Sequence, residues 1–208
     1  MGDSIESFPL FPLGLVLLPG EVVPLHIFEE RYKVMIGECL DEESEFGILW
    51  VSDDGLKETG CAARITQLLD RMDDGRMNIL VQGTTPFQLR RRIEELPYPA
   101  GDVEMLEEEE DDEGVEAGAA ARGRYAELVE RVTDSRPSEN DLEELDAYGM
   151  AATLDFALDA KQDLLELRSE RQRLERLAEL FAATIKRLDY AERAAERART
   201  NGKVRFQR

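Results

Sequence analysis

Few residues in this sequence have the type and spacing that covalent chemistry demands. The single histidine, His26, sits in a strand-like run between Leu25 and Ile27. It is a candidate general base or ligand, but such a base needs a nucleophile and an orienting third group within reach. The other reading is a histidine hydrogen-bonded to structure near the start of the first helix. Cys39 falls on the apolar face of a helical segment and reads as a buried thiol. Cys61 opens a strand after Gly60 and reads as structural too. No Cys-x-x-Cys or His-x-x-x-His spacing offers a metal site. There is no Gly-x-x-x-x-Gly-Lys-Ser/Thr cradle and no Gly-x-Ser-x-Gly elbow; the one Gly-Lys pair, Gly202-Lys203, has no strand before it. The expectation is a chain with no catalytic residue, no metal site and no cofactor, hence not an enzyme.

Charged clusters are the other source of chemistry. Glu107 to Glu113 are seven consecutive acids. They could chelate a hard cation, but the run lacks the spaced ligands and turn glycine of a calcium loop, so a solvated linker is the competing reading. Asp70 to Gly75 fails the same test and reads as a turn. Arg90-Arg91-Arg92 is the sharpest basic cluster, without the aromatic interleaving of a nucleic-acid site. Pairing with nearby acids across a strand accounts for it. Arg168, Arg171, Arg173 and Arg176 are mixed with acids and read as a solvated helix face.

The composition bounds the partners. The chain has 208 residues, 42% hydrophobic and 35% charged, with a formal net charge of −20. Residues 1–160 hold 13 Lys/Arg against 38 Asp/Glu, a net of −25, and residues 161–208 hold 13 against 8, a net of +5. Such a body repels phosphate backbones and anionic lipid, which argues against nucleic-acid and membrane partners. No apolar run approaches the roughly 20 residues of a membrane helix. Phe8 to Leu18 is interrupted by Pro9, Pro12 and Gly14 and lacks a basic start, so no signal peptide is expected. Two cysteines without a disulfide framework suggest a reducing, cytoplasmic setting.

These residues must be positioned by two unlike halves. Residues 1–106 read as β-rich, with six or seven short strands and one helix. Phe8 to Leu13 is extended by its prolines. Pro19-Gly20 turns the chain into a strand over Val22 to Ile27. Tyr32, Met35, Ile36, Cys39 and Leu40 recur at helical spacing. Phe46 to Val51 is a buried strand, and Cys61–Leu69 and Met77–Val81 flank an Asp73-Asp74-Gly75 hairpin turn. Phe87 to Ile93 and Gly101 to Leu106 complete the set. Residues 107–118 read as an acidic, glycine-containing linker. Residues 119–201 read as helical. A stripe of Tyr125, Leu128, Val129 and Val132 ends near Pro137, and Ser138 caps a helix carrying Leu142, Leu145, Gly149, Ala152 and Phe156. Capping-box spacings at Asp159/Gln162 and Ser169/Gln172 predict a short helix over about 160–167 and a long one over about 170–200. Gly202 ends that helix and residues 202–208 are a tail. The long helix carries a 3,4-spaced seam of Leu174, Leu177, Phe181, Thr184, Leu188, Ala191, Ala195 and Ala198.

The opening motifs also carry a family resemblance. Phe8-Pro-Leu-Phe-Pro-Leu13, Pro19-Gly20 and Pro24-Leu-His-Ile-Phe-Glu-Glu-Arg-Tyr32, in that order, closely resemble the start of the Lon protease N-terminal (substrate-binding) domain. The likeness continues through Phe46-Gly-Ile-Leu49, Gly60-Cys-Ala-Ala-Arg-Ile65, Asp74 to Gly83, Phe87 and Pro97-Tyr98. Lys161-Gln-x-Leu-Leu165 and Arg173-Leu-x-x-Leu177 extend it into the helical half. It implies an α+β fold: a PUA-like β pseudo-barrel followed by an α-helical bundle with a long C-terminal helix. Full proteases of this kind add an ATPase module and a serine–lysine peptidase. Neither is present here, so the resemblance implies a stand-alone, non-enzymatic member.

Function follows as an expectation. The resemblance implies a module that binds exposed apolar segments of unfolded or flexible polypeptides, in a role such as an adaptor for a separate protease. His26, Phe28, Arg31 and Tyr32 belong to the shared motif. They either hold the strand–helix corner, with Phe28 and Tyr32 packed, or border a groove for unfolded peptide. The alternative is an assembly protein that dimerises through the seam at Leu174, Leu177, Phe181, Leu188, Ala191 and Ala195. RNA binding is suggested only by the PUA-like fold, and the acidic body argues against it.

Overall fold

Two prolines hold Phe8 to Leu13 extended, and this segment forms the inner part of strand β1 (Ser4–Leu13). The computed structural model describes residues 2–109, 111 and 115–201. Six further strands follow β1: β2 (Val22–Ile27), β3 (Phe46–Ser52), β4 (Gly55–Leu56), β5 (Thr59–Arg71), β6 (Met77–Ile93) and β7 (Ala100–Met105). Helix α1 (Glu30–Glu42) lies between β2 and β3.

The sheet closes on itself. Its order runs β1-β7-β6-β5-β3, and β1 also pairs with β3. The β1–β3 pairing is parallel, with Leu10 opposite Gly47 and Leu13 opposite Trp50. The β1–β7 pairing is antiparallel, with Ser4 opposite Glu104. A bulge between Ile5 and Phe8 places Ser7 at φ 57°. β2 joins outside the ring, antiparallel to the first half of β6. This is the pseudo-barrel expected from the sequence.

β6 is one 17-residue strand, where the sequence reading had two short ones separated by Gly83 to Pro86. Pro86 can donate no hydrogen bond to a ladder, and it sits opposite Cys61 beside a register shift. The strand therefore continues through it. The hairpin into β6 turns at Gly75, whose φ of +82° suits glycine, and Asp74 Oδ1 accepts from the Arg76 amide at 3.1 Å.

Phe87 occupies the barrel interior. It is fully buried, packs edge-on against Phe8 with centroids 5.8 Å apart, and shares a cluster with Leu10, Leu49, Ala62, Leu89 and Val103. Gly47 and Gly60 make room for it. A Cβ at Gly47 would stand 2.5 Å from Phe87 Cζ, and one at Gly60 2.7 Å from the same atom. Leu10 and Phe11 are both buried although they are adjacent in a strand. Leu10 joins the barrel cluster, while Phe11 meets the Tyr32 ring of α1 at 4.1 Å. The helix buries Tyr32, Met35, Ile36 and Cys39, the predicted stripe.

The chain divides into two compact units, Met1–Glu110 with Leu145–Glu170, and Asp111–Glu144 with Arg171–Arg208. This differs from the sequence division, which kept residues 119–201 together. Helices α4 (Ala147–Ala152) and α5 (Leu158–Glu166) belong with the barrel. Lys161 Nζ donates to both Glu21 carboxylate oxygens at 2.7 and 2.8 Å, and Gln162 Nε2 donates to the Thr59 carbonyl at 3.1 Å. Leu164 and Leu165 are buried beside them.

The second unit contains α2 (Val115–Thr133), α3 (Glu139–Glu143) and α6 (Glu170–Asn201), whose first residue belongs to the barrel unit. Tyr125 of α2 packs on Phe181 of α6 at 5.8 Å, and Arg131 pairs with Asp189 at 2.6 Å. The Leu142–Phe156 stripe, predicted as one helix, is broken: Leu142 lies in α3, Gly149 and Ala152 lie in α4, and Leu145 and Phe156 fall outside both. Ser138 and Asp141 form a capping box on α3, and Asp146 starts α4 by accepting from Gly149 N at 2.6 Å. Helix α5 begins at Leu158 without a side-chain cap, so Asp159 lies in its first turn rather than capping it. Helix α2 begins inside the stretch read as linker, and Glu109 N donates to the Arg168 carbonyl at 2.8 Å. The rest of the acidic run at 110 and 112–114, and the predicted stop at Gly202 with its tail, lie outside the described residues.

Replacing Phe87 by alanine empties the barrel centre. The expected loss is about 3–5 kcal/mol, read as a lower urea midpoint at unchanged m-value.

Candidate polypeptide-binding cleft

An apolar cleft of about 320 Å³ opens on the barrel unit. Leu10 and Pro12 of β1, Leu56 of β4 and Ala100 of β7 contribute apolar side chains to its lining. The end of β6 and the segment leading to β7 supply Arg92, Ile93, Glu94, Leu96, Pro97, Tyr98 and Pro99. Arg31 of α1 completes it. Prolines at 97 and 99 fix the backbone φ on either side of Tyr98, in a segment that bends over residues 95–98. The Tyr98 hydroxyl donates to Glu38 of α1. Partial burial and that carboxylate acceptor push the Tyr98 hydroxyl well above its ordinary pKa, so it stays a donor. Leu96 remains 37% exposed at the cleft.

Both cysteine thiols are buried, and burial raises their pKa values away from the reactive thiolate. Among the described residues no group of three His, Cys, Asp or Glu side chains is placed to hold a metal ion. No helix among them is long and apolar enough to cross a membrane.

Residues 7–183 match the family model for the ATP-dependent protease La (LON) substrate-binding domain. The chain belongs to the Lon substrate-binding domain family. Its relatives are longer proteins. It is 26% identical to Lon protease 1 of Hydrogenovibrio crunogenus, covering 95% of this chain and 26% of that protein. It is 28% identical to Lon protease 1 of Syntrophobacter fumaroxidans, with the same two coverages, so it spans about a quarter of either. The matched region is the substrate-binding domain, not the ATPase or peptidase module. Among solved structures, a Lon N-terminal domain protein from Xanthomonas campestris aligns at TM-score 0.65 and 28% identity, covering 83% of this chain and 97% of that one. The N-terminal domain of the Mycobacterium avium complex Lon protease aligns at 0.64 and 22% identity, covering 86% and 98%, a likeness of fold.

The Lon-family motif residues form two pairs. His26 is exposed; its Nδ1 lies 2.6 Å from Asn78 Oδ1, and its ring stacks on Phe28 at 5.8 Å. Phe28, between β2 and α1, is 59% exposed, so of the two readings given for it the packed one does not hold. Tyr32 is buried, and burial raises its pKa. Arg31 lies over the Tyr32 ring, 4.6 Å from its centroid, and pairs with Glu29 at 2.8 Å. Of the four, only Arg31 reaches the cleft. The cleft's Leu96-Pro-Tyr-Pro99 lining is not among the sequence-predicted site residues, although Pro97-Tyr98 carries part of the family resemblance.

The seam of the long Lon-family helix divides in the same way. Leu174, Leu177 and Phe181 are buried. Leu188 is half-buried, and Ala191 and Ala195 are exposed. The side chain of Ala198 lies outside the described residues.

The arginine cluster sits on β6 opposite β7. Arg90 Nε donates to Glu104 at 2.9 Å and Arg91 Nε to Asp102 at 2.8 Å. The Arg91 guanidinium and then the Ser7 amide hold the Asp102 carboxyl below the usual carboxylate range. A depressed folded-state pKa contributes stability above the unfolded value of about 4, lost as pH falls through the folded value. Asp102→Asn should therefore lower the thermal midpoint at pH 7, with the difference from the parent shrinking steadily as a melting series descends below pH 4.

Proposed function

We propose that this chain is a non-enzymatic polypeptide-recognition module that holds exposed apolar segments in the cleft between β1, α1 and the β6–β7 segment. The observation that carries this reading is an open apolar cleft, bordered by Leu56, Ile93 and Leu96, in a chain of the Lon substrate-binding family. One large apolar side chain buries about 150–250 Å². At about 25 cal/mol per Å² that is about 4–6 kcal/mol before ordering costs. Such ordering costs leave a weak affinity, tolerant of sequence, that several neighbouring apolar side chains must together supply. Weak, tolerant binding suits an adaptor that presents loosened chains to a separate protease.

Fluorescence anisotropy with labelled, unfolded apolar peptides tests this. Saturable binding is expected, weakened about tenfold by Leu96→Asp and unaffected by Leu69→Asp, an exposed leucine outside the cleft. Absence of saturable binding to any apolar peptide would overturn the proposal.

A further inference from the structure

The three consecutive arginines of β6 do not have equivalent surroundings. Arg90 and Arg91 are matched by Glu104 and Asp102 of β7. Arg92 stands opposite Gly101. Glycine presents no carboxylate there, and a larger residue would crowd the backbone, since a Cβ at Gly101 would come 2.6 Å from the Arg91 carbonyl oxygen. Among the described residues Arg92 forms no hydrogen bond or ion pair, although Glu94 lies on the same rim. Arg92 lines the apolar cleft, whereas its paired neighbours Arg90 and Arg91 do not. The other cleft arginine, Arg31, is already neutralised by Glu29.

We infer that Arg92 receives the α-carboxylate of a polypeptide's C-terminal residue, whose apolar side chain occupies the cleft. This rests on the polypeptide-recognition reading above and names the part of the polypeptide that is bound. A terminal residue carries one apolar side chain and one carboxylate on the same Cα, so both meet this site within the span of one residue. A cleft of about 320 Å³ suits that size. An acid-rich internal segment is disfavoured twice: Glu94 lies on the same rim, and the chain's net charge of −20 repels a run of negative groups. The planar fork of the guanidinium matches a carboxylate in bidentate fashion.

The test uses the full chain and three labelled peptides of one apolar sequence. One ends in a free carboxylate, one in an amide, and one is an amide with a glutamate beside the same apolar residue. The free acid is expected to bind about tenfold more tightly than the amide, and the glutamate peptide to bind like the amide. Arg92→Gln should bring the acid-to-amide ratio to near one, with Arg92→Lys intermediate. Arg91→Gln, which removes a paired arginine, should leave the ratio intact. A thermal melt of each variant verifies that it is folded. Equal, saturable binding of acid and amide would overturn the inference while leaving polypeptide recognition standing, and tight binding of the glutamate peptide would overturn the terminal assignment. Absence of binding by all three would remove both.

Discussion

The double pairing of β1 is the constraint on which the barrel unit depends. One strand edge meets β7 antiparallel and the other meets β3 parallel, and this closes the ring. Closure removes the free edges that an open sheet must otherwise protect. It also fixes both faces of β1: Leu10 lies in the barrel cluster, while Phe11 anchors α1 through Tyr32. The cleft inherits its rigidity from this arrangement, because Leu10 and Pro12 belong to the doubly paired strand and Ala100 to its neighbour. Phe87 can fill the interior only because glycine stands at 47 and 60.

Charge is distributed with similar economy. The acidic surplus of residues 1–160 leaves most arginines neutralised by a neighbour, as in Arg31–Glu29, Arg90–Glu104 and Arg91–Asp102. Lys161 and Glu21 form a well-shielded pair, with side chains 13% and 17% exposed. Glu21 also accepts from the Leu18 amide at 3.0 Å, so one carboxylate ties a turn of the barrel to α5. Against that background a cation without a partner is chemically conspicuous.

Much of the fold was legible in the sequence because local signals and burial agreed. The α1 stripe, the Gly75 turn and the span of the long helix follow from spacing and turn chemistry alone. β6 was not legible as one strand, since Gly83 and Pro86 punctuate it locally while its pairing with β5 and β7 overrides them. The membership of α4 and α5 in the barrel unit depends on Lys161 and Gln162 reaching residues 140 and 103 positions away, which no local pattern encodes. Leu10, Pro12, Arg31, Pro97 and Tyr98 of the cleft fall within the motifs that carry the family resemblance, and of these only Arg31 is a sequence-predicted site residue. The cleft residues other than Arg31 come from β1, β4 and the β6–β7 segment, and only closure of the ring brings them together.

The barrel unit is discontinuous along the chain, with residues 111–144 inserted between its two parts. During synthesis the ring cannot close until β7 is available to β1, about a hundred residues after Ser4 has been made. The Glu21 carboxylate then waits a further stretch of translation for Lys161. Over that interval the nascent chain presents the apolar faces of β1 and β5 without their final cover. Vectorial growth therefore makes this unit a late finisher, exposed on the ribosome to the same kinds of contact that its mature cleft is proposed to make with others.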